Sequence, residues 1–209
     1  MAVQRSSEES TMDADSTSVK VAVRIRPQSA KEKAEMNHIC TTVTSNEPQI
    51  VIGKDAMFTY DHVFNMNACQ DHIFQTLAKP LIDGCMDGYN ATIIAYGQTG
   101  SGKTYTMGTG FDFSCSHTDA GIVPRAVQYL FASVAKRRAE AAAKEQPVPE
   151  FKVVAQFLEL YNEELVDLLD SEKIQKPHLR LHENAQGDIY LTGVSTRLVS
   201  SLDDVSFIT

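Results

Sequence analysis

The chain has 209 residues, enough for one large domain or two small ones. Nineteen Lys and Arg residues against 27 Asp and Glu residues give a formal net charge of -8, which argues against a general nucleic-acid binder because such proteins cluster cations. No apolar run is long enough to span a membrane, no secretory signal begins the chain, and the cysteines form no Cys-x-x-Cys pair, so a reducing intracellular compartment fits best.

The N-terminal segment, residues 1–18, is polar and acidic, with Arg5 as its single basic residue. Such a segment cannot bury enough apolar surface to offset the entropy lost on ordering. We therefore predict a disordered tail over 1–18 and one domain over 19–209. Apolar and polar residues alternate over 19–26 until Pro27, which predicts a strand with one buried face. Weaker strands are expected at 39–43 and 49–52.

A helix is predicted after Asn67, which begins a possible capping box. Pro80 should kink this helix and Gly88 should close it. Residues 91–96 form a short apolar run rich in β-branched side chains, which is typical of a strand covered on both faces. The apolar positions that carry the helix prediction are Ile73, Phe74, Leu77, Leu81 and Ile82.

The second half of the chain continues the alternation of strands and helices. Pro124 should open a helix that runs to about Lys144, and residues 153–161 should form a strand. Asn162 is expected to cap a short helix that carries the leucines of 165–169, with its acidic residues on a solvated face. Residues 179–183 and 189–192 should pair as a hairpin. This alternation indicates an α/β fold.

The strongest chemical signal is the pattern G-x-x-x-x-G-K-[ST] at residues 97–104. A polyphosphate must be wrapped by backbone N–H groups at close range, and glycine permits both the approach and the dihedral angles. Lys103 would then reach the β- and γ-phosphates, and the Thr104 hydroxyl would ligate Mg²⁺. The alternative is a glycine-rich turn with an exposed lysine, which the predicted strand before it and helix after it disfavour.

Further blocks around this loop resemble the kinesin motor domain in order and spacing. The resemblance runs from about Val19 to the last residue, and residues 104–112 and 155–161 look most like the fourth kinesin family, near its chromokinesin and cortical, growth-modulating branch. It implies an α/β P-loop NTPase with a kinesin-type motor core, in which helices flank a mixed central sheet that is incomplete on its C-terminal side. The blocks are Val23–Pro27, Phe58–Phe64, Gly88–Gly108 and Phe157–Glu163.

The resemblance also implies a nucleotide site for ATP with Mg²⁺. In kinesins an Arg-x-Arg-Pro segment flanks the adenine, and an aromatic residue or histidine after the phosphate loop stacks on its other face. From the residues alone, Tyr105 could equally pack inside the protein, and the two arginines more readily form a solvated strand face. The implied binding residues are Arg24, Arg26, Pro27, Gly97, Gln98, Thr99, Gly100, Ser101, Gly102, Lys103, Thr104 and Tyr105, with Thr104 on the metal.

No catalytic residue is identified after Lys103. Kinesins position the attacking water with an Asn-x-x-Ser-Ser-Arg-Ser-His segment and an Asp-Leu-Ala-Gly segment, and the sequence contains neither. The resemblance therefore covers the part of a motor domain before switch I, switch II and the neck linker, and it leaves hydrolysis by this chain open. The kinesin strand before the phosphate loop pairs with strands from the other part, so residues 91–96 are expected to lack neighbours and to destabilise the isolated chain.

The implied function is the ATP-binding part of a microtubule motor in the cytoplasm, on the cytoskeleton. Its partner would be tubulin, and a coiled coil downstream would make a homodimer; no nucleic-acid or membrane partner is expected. One alternative is a nucleotide-binding module without turnover. A P-loop kinase of small metabolites is less favoured, because residues 109–124 lack the arginines expected of its lid.

Overall fold

The computed structural model describes residues 19–108, 118–169, 179–201 and 204. The tail predicted over 1–18 lies outside the described residues. The chain divides into two compact units, the first ending at Asn67 and the second beginning at Ala68. The single domain expected over 19–209 stays a prediction.

The described residues of the first unit form two small sheets and a short helix. One sheet is a parallel pair of the first and last strands of the unit, and the other is an antiparallel three-stranded meander, as expected for 39–43 and 49–52. The buried apolar residues among those described in this unit are Ile50, in the meander, and Phe64, in the parallel pair. The elements are β1 (Ala22–Arg24), α1 (Ala30–Ala34), β2 (Thr41–Val43), β3 (Gln49–Ile52), β4 (Ala56–Thr59) and β5 (His62–Phe64).

Strand β1 is shorter and less covered than the alternation over 19–26 predicts. The side chain of Val19 is 88% exposed, and only from Val23 onward are the apolar residues half-buried. The backbone N–H of Val21 donates to Asp61 Oδ2 at 2.7 Å instead of joining a strand ladder. Within the described part of this unit, β1 pairs with β5 alone, in a two-stranded parallel sheet.

Helix α1 begins with a capping box. The Ser29 hydroxyl accepts from the Glu32 backbone N–H, and the Glu32 carboxylate accepts from the Ser29 N–H at 2.7 Å. The Arg26 guanidinium donates to both Glu32 oxygens, at 2.9 and 2.6 Å. These contacts, that of Arg26 first, lower the pKa of Glu32 from 4.5 to about 2. The box joins the residues after β1 to the first turn of α1.

Glu32→Gln is expected to flatten the acid dependence of stability. A carboxylate with a lowered pKa stabilises the fold above its unfolded-state pKa, and this stability is lost as pH falls from 4.5 toward 2. Glutamine keeps the cap but not the charge. Thermal midpoints measured between pH 2 and 5 should therefore fall more steeply in the wild type. Parallel curves for the two proteins would show that the ion pair does not act on folding.

Among the described residues of the second unit, the helices come first in the chain and the strands follow them. No helix in the described parts of the chain is both long and apolar enough to cross a membrane. The elements are α2 (Gln70–Ile73), a π-helical segment (Phe74–Ala78), α3 (Lys79–Met86), α4 (Lys103–Met107), α5 (Ile122–Ala143), β6 (Val153–Ala155), β7 (Leu158–Tyr161), β8 (Glu164–Asp167), β9 (Arg180–Glu183), β10 (Ile189–Thr192) and β11 (Arg197–Val199).

The helix predicted after Asn67 forms, with two differences at its start and middle. Its N-cap is Cys69, without a side-chain cap bond, so the capping box expected at Asn67 is wrong. The backbone N–H of Asn67 instead donates to Asn65 Oδ1 in a local turn. Ahead of Pro80, which has no N–H to donate, the helix widens into the π-helical segment.

The end of this helix is closed as predicted by Gly88, whose φ is +100°. Its N–H donates to the carbonyl of Cys85, and the N–H of Tyr89 donates to the carbonyl of Gly84. This pair of bonds is the Schellman motif, which satisfies carbonyls that the ending helix leaves without partners. The C-terminal signal in the sequence was therefore more reliable than the N-terminal one.

Helix α5, expected from Pro124 to Lys144, packs on α3 and on the π-helical segment. The rings of Phe74 and Tyr129 pack edge to face, with centroids 6.0 Å apart. The Tyr129 hydroxyl donates to Asp83 Oδ1 at 2.6 Å, and Arg137 donates to the Met86 carbonyl at 2.6 Å. Burial stabilises the apolar centre by about 1.5–3 kcal/mol per large side chain. Its buried members are Ile73, Phe74, Ala78 and Ile122.

The last strands form three antiparallel pairs. The hairpin of β9 and β10 is the one predicted, whereas the short helix predicted after Asn162 is wrong. Asn162 and Glu163 have φ of +48° and +68°, which makes them the two-residue turn between β7 and β8. Leu165 therefore lies in β8, and Leu168 and Leu169 follow it. Glu159 and Glu164 are exposed on the strands, whereas Asp167 is half-buried and accepts from the N–H groups of Leu169 and Ser195. Strand β11 pairs with β6.

The strand predicted at residues 91–96, with both faces covered, is also wrong. The described strands form five small sheets, and none includes this segment. Ile94 is 82% exposed and Tyr96 is 99% exposed. The apolar composition indicated burial, but burial needs neighbouring strands, and the described residues supply none. Within the described residues, no strand pairs with residues 91–96, as the expected lack of neighbouring strands predicts.

Candidate functional site

The glycine-rich loop of the second unit turns sharply at residues 97–102. Gly97, Gly100 and Gly102 have φ of +150°, +79° and +99°, which other residues rarely adopt. A Cβ on Gly97 would also lie 2.6 Å from Ser101 Oγ, so a side chain there would force the Ser101 hydroxyl to move. Glycine is thus required at these positions, as the sequence predicted. Between them, Gln98 and Thr99 are exposed.

Lys103 folds back over this loop. Its Nζ atom donates to the carbonyl of Gly97 at 2.7 Å and to that of Gln98 at 3.0 Å. Helix α4 begins at the same residue, with Gly102 as its N-cap. The turn, the lysine at its mouth and the helix behind it therefore occur together.

Thr104 is the candidate metal ligand from the sequence. It is exposed on the first turn of α4. Among the described residues, no group of three or more His, Cys, Asp or Glu side chains could hold a metal ion. The donor set here therefore fits Mg²⁺ only as one hydroxyl ligand, with phosphate and water oxygens supplying the rest.

Tyr105 follows on the same helix and is 52% exposed, so it is not the packed interior residue that the sequence left open. Its hydroxyl donates to Asp119 Oδ1 at 3.3 Å. Its carbonyl accepts from the side-chain amide of Gln70 at 2.7 Å. The same amide donates to the carbonyl of Asp119 at 3.0 Å.

Sequence reasoning missed Gln70. Its side chain is only 2% exposed, the one buried polar residue among those described. Its partners lie 35 and 49 positions further along the chain, so no local pattern marks it. The only available signal was a polar residue next to the apolar stripe of a predicted helix.

The end of α4 and the start of α5 meet through two glycines. A Cβ on Gly108 would lie 2.8 Å from Gly121 Cα, and a Cβ on Gly121 would overlap the backbone of Gly108. Arg125, in the first turns of α5, donates to the Ala120 carbonyl at 2.9 Å and to Asp71 Oδ1 at 3.2 Å. Residues 118–121 are thus fixed beside the helix that follows the loop.

The other predicted binding residues lie in the first unit. Arg24 is half-buried at the end of β1, and Arg26 and Pro27 are exposed just after it. Arg26 is engaged with Glu32, and its guanidinium also donates to the Pro27 carbonyl at 3.1 Å. Arg26 is therefore not simply the solvated residue of a strand face.

Comparison with known proteins gives one family. A family model described as the kinesin motor domain matches residues 24–208. The chain is 54% identical over 192 residues to "Kinesin-like protein KIF21B" of Homo sapiens, covering 90% of this chain and 12% of that protein. It is 39% identical over 187 residues to "Chromosome-associated kinesin KIF4" of Mus musculus, covering 89% of this chain and 14% of that protein.

A solved structure agrees with these sequences. The fold is similar to that in "Structure of a fast kinesin: Implications for ATPase mechanism and interactions with microtubules", with a TM-score of 0.76 and 31% identity over 90% of this chain and 50% of that one. This confirms the predicted α/β motor-type fold. The chain spans between 12% and 14% of the length of the two curated relatives named above. By sequence and by fold, this chain belongs to the kinesin motor-domain family.

Proposed function

We propose that this chain is the ATP-binding part of a microtubule-based motor that couples ATP hydrolysis to movement along microtubules or to their regulation. The observation that carries the proposal is Lys103, whose ammonium group lies over the glycine loop at the start of α4. Family membership supports it, because kinesin motor domains bind nucleotide with Mg²⁺ in general. Tubulin as partner, a cytoplasmic location and a homodimer through a coiled coil belong to the same proposal.

The loop residues would act together on the triphosphate. Lys103 would exchange its bonds to the Gly97 and Gln98 carbonyls for phosphate oxygens. Charge-assisted hydrogen bonds contribute about 1.5–3 kcal/mol each, so a few are enough for micromolar affinity. The N–H groups of Gln98, Thr99, Gly100, Ser101 and Gly102 would line the same phosphates. The Thr104 hydroxyl would hold Mg²⁺, which neutralises the phosphate charge.

The adenine would be held by Tyr105. An aromatic ring with half of its surface exposed can stack on a base, and the Asp119 contact restricts its rotation. The resemblance adds Arg24, Arg26 and Pro27 on the side of the base, and this assignment rests on the resemblance alone.

Tyr105→Ala should weaken the binding of ATP about tenfold and leave the binding of inorganic tripolyphosphate nearly unchanged. Stacking on an aromatic side chain is worth about 1–3 kcal/mol per base, and tripolyphosphate has no base to lose. Both affinities can be measured by calorimetry with Mg²⁺ present. Tyr161→Ala, which removes another exposed tyrosine at the end of β7, is the matched control. Equal losses for both ligands would reject the stacking role.

The motor is distinguished from a nucleotide-binding module by turnover. Phosphate release from ATP that rises when microtubules are added supports the motor. ATP binding with no phosphate release, with or without microtubules, would leave the binding module as the function of this chain.

A further inference from the structure

We propose that Gln70 is the positioning residue of the phosphate loop, because its buried amide holds α4 in place through the backbone of Tyr105. Gln70 would touch neither the phosphates nor the base. It would act by fixing the helix whose first residues are Lys103 and Thr104. The inference rests on the proposed function of that loop and names a further residue for it.

The buried side chain of Gln70 hydrogen-bonds to two separate backbone segments. The side chain is 2% exposed at the first residue of α2. A primary amide carries two N–H donors, and here Nε2 serves two carbonyls, that of Tyr105 at 2.7 Å and that of Asp119 at 3.0 Å. Two segments far apart in sequence are therefore joined by one side chain.

Helix α4 needs stabilising contacts from residues outside the helix. It has five residues, and a helix so short is not stable by itself in water. Its internal support includes the bonds from Thr106 N–H to the Gly102 carbonyl and from Gly108 N–H to the Thr104 carbonyl. Tyr105 lies two positions after Lys103, so a bond that fixes its carbonyl also fixes the direction of the lysine and of the threonine between them.

The part of α2 that carries Gln70 is held in place by buried apolar neighbours. Gln70 precedes Ile73 and Phe74, which are 1% and 4% exposed in the apolar centre of the second unit. An anchor packed in this way can transmit position to α4, whereas a residue on a loose loop could not. The contact of Gly108 with Gly121 holds the same region independently. Loss of the amide should therefore shift α4 without unfolding the unit.

The competing explanation is that Gln70 only satisfies two buried carbonyls. In that case its loss would lower stability, because unsatisfied buried groups are costly, but the affinity of the folded protein would not change. Ligand affinity measured where every variant is fully folded separates the two explanations, since global stability does not enter it.

The test uses Gln70→Met in the 209-residue chain. Methionine keeps the approximate volume and removes both donors. We expect dissociation constants for Mg-ATP and for Mg-tripolyphosphate to rise together, by about tenfold, which corresponds to about 1.4 kcal/mol. Both should rise because α4 carries the groups proposed to bind phosphate. Calorimetry at a temperature well below every thermal midpoint gives the constants.

Ile73→Val is the control variant, because it trims a buried side chain on the same helix and makes no hydrogen bond to α4. It should lower the thermal midpoint by a few degrees and leave both dissociation constants unchanged. Wild-type affinity in Gln70→Met, or an equal loss in Ile73→Val, would overturn the positioning role. If Gln70→Met does not fold, Gln70→Asn takes its place, because the shorter side chain draws the amide away from both carbonyls. A rise in both dissociation constants would support the positioning role, and wild-type affinity would overturn it. A wild type that binds neither ligand would instead overturn the proposed function itself.

Discussion

Lys103→Ala is expected to weaken Mg-ATP binding by at least about a hundredfold, which corresponds to about 2.7 kcal/mol. The ammonium group is 2.7 Å from the Gly97 carbonyl, at the mouth of the loop, and it is the cation proposed to meet the β- and γ-phosphates. The substitution removes at least one charge-assisted contact and also the two bonds that close the loop. Calorimetric titration with ATP in the presence of Mg²⁺ measures the effect.

A second lysine shows whether the effect is specific to the loop. Lys136 is 77% exposed on α5, where its Nζ atom lies 3.9 Å from Glu140. Lys136→Ala removes the same charge from the same chain and should leave the affinity within about twofold of wild type, because exposed pairs contribute little. An affinity in Lys103→Ala close to that of Lys136→Ala would contradict the phosphate-loop assignment.

Gly121→Ala is expected to lower the free energy of unfolding by about 3 kcal/mol, a large effect for a single added methyl group. That group would overlap the backbone of Gly108, which cannot turn aside as a side chain could. Either the end of α4 or the start of α5 must move, and both belong to the packed part of the second unit. Unfolding in urea, followed by circular dichroism, gives the change in free energy.

Gly84→Ala provides the matched control. Gly84 lies within α3, and a Cβ there meets no atom within 4 Å. Alanine favours the helix over glycine by about 0.5–1 kcal/mol, so this variant should be slightly more stable than wild type. If Gly121→Ala were as stable as Gly84→Ala, the close approach of α4 and α5 would not exist in solution.

Local signals in the sequence predicted the parts of the structure that depend on local chemistry. The glycine pattern at 97–104 predicted the turn and the helix after it, because the positive φ angles require glycine wherever the loop lies. Gly88 predicted a helix end for the same reason. Apolar residues recur at helical spacing over a long stretch after Pro124, and this was enough to predict α5.

The errors occurred where a distant partner or a turn decides the structure. The run 91–96 is apolar, but its burial depends on strands that must come from elsewhere in the chain. After Asn162 the spacing of Leu165, Leu168 and Leu169 suits a helix, but the positive φ of Asn162 and Glu163 selects the hairpin. Asparagine is one of the few residues that adopts this conformation readily, so its residue type is as compatible with the turn as with a helix cap.

Gln70 illustrates the limit for the candidate site. Its importance rests on two backbone carbonyls, and a carbonyl carries no mark of residue type in the sequence. Only the folded second unit brings Tyr105 and Asp119 to one amide. Residues proposed to bind ligands through their side chains carry a signal of residue type in the sequence, whereas the residue proposed to position them carries none.

A titration of the wild-type chain with ATP, with Mg²⁺ present and with Mg²⁺ removed by a chelator, tests directly whether the glycine loop binds Mg-ATP. We expect saturable binding of one ATP per chain in the micromolar range, which weakens clearly without the metal. Absence of binding at millimolar ATP by a folded chain, or an affinity that does not respond to Mg²⁺, would contradict it.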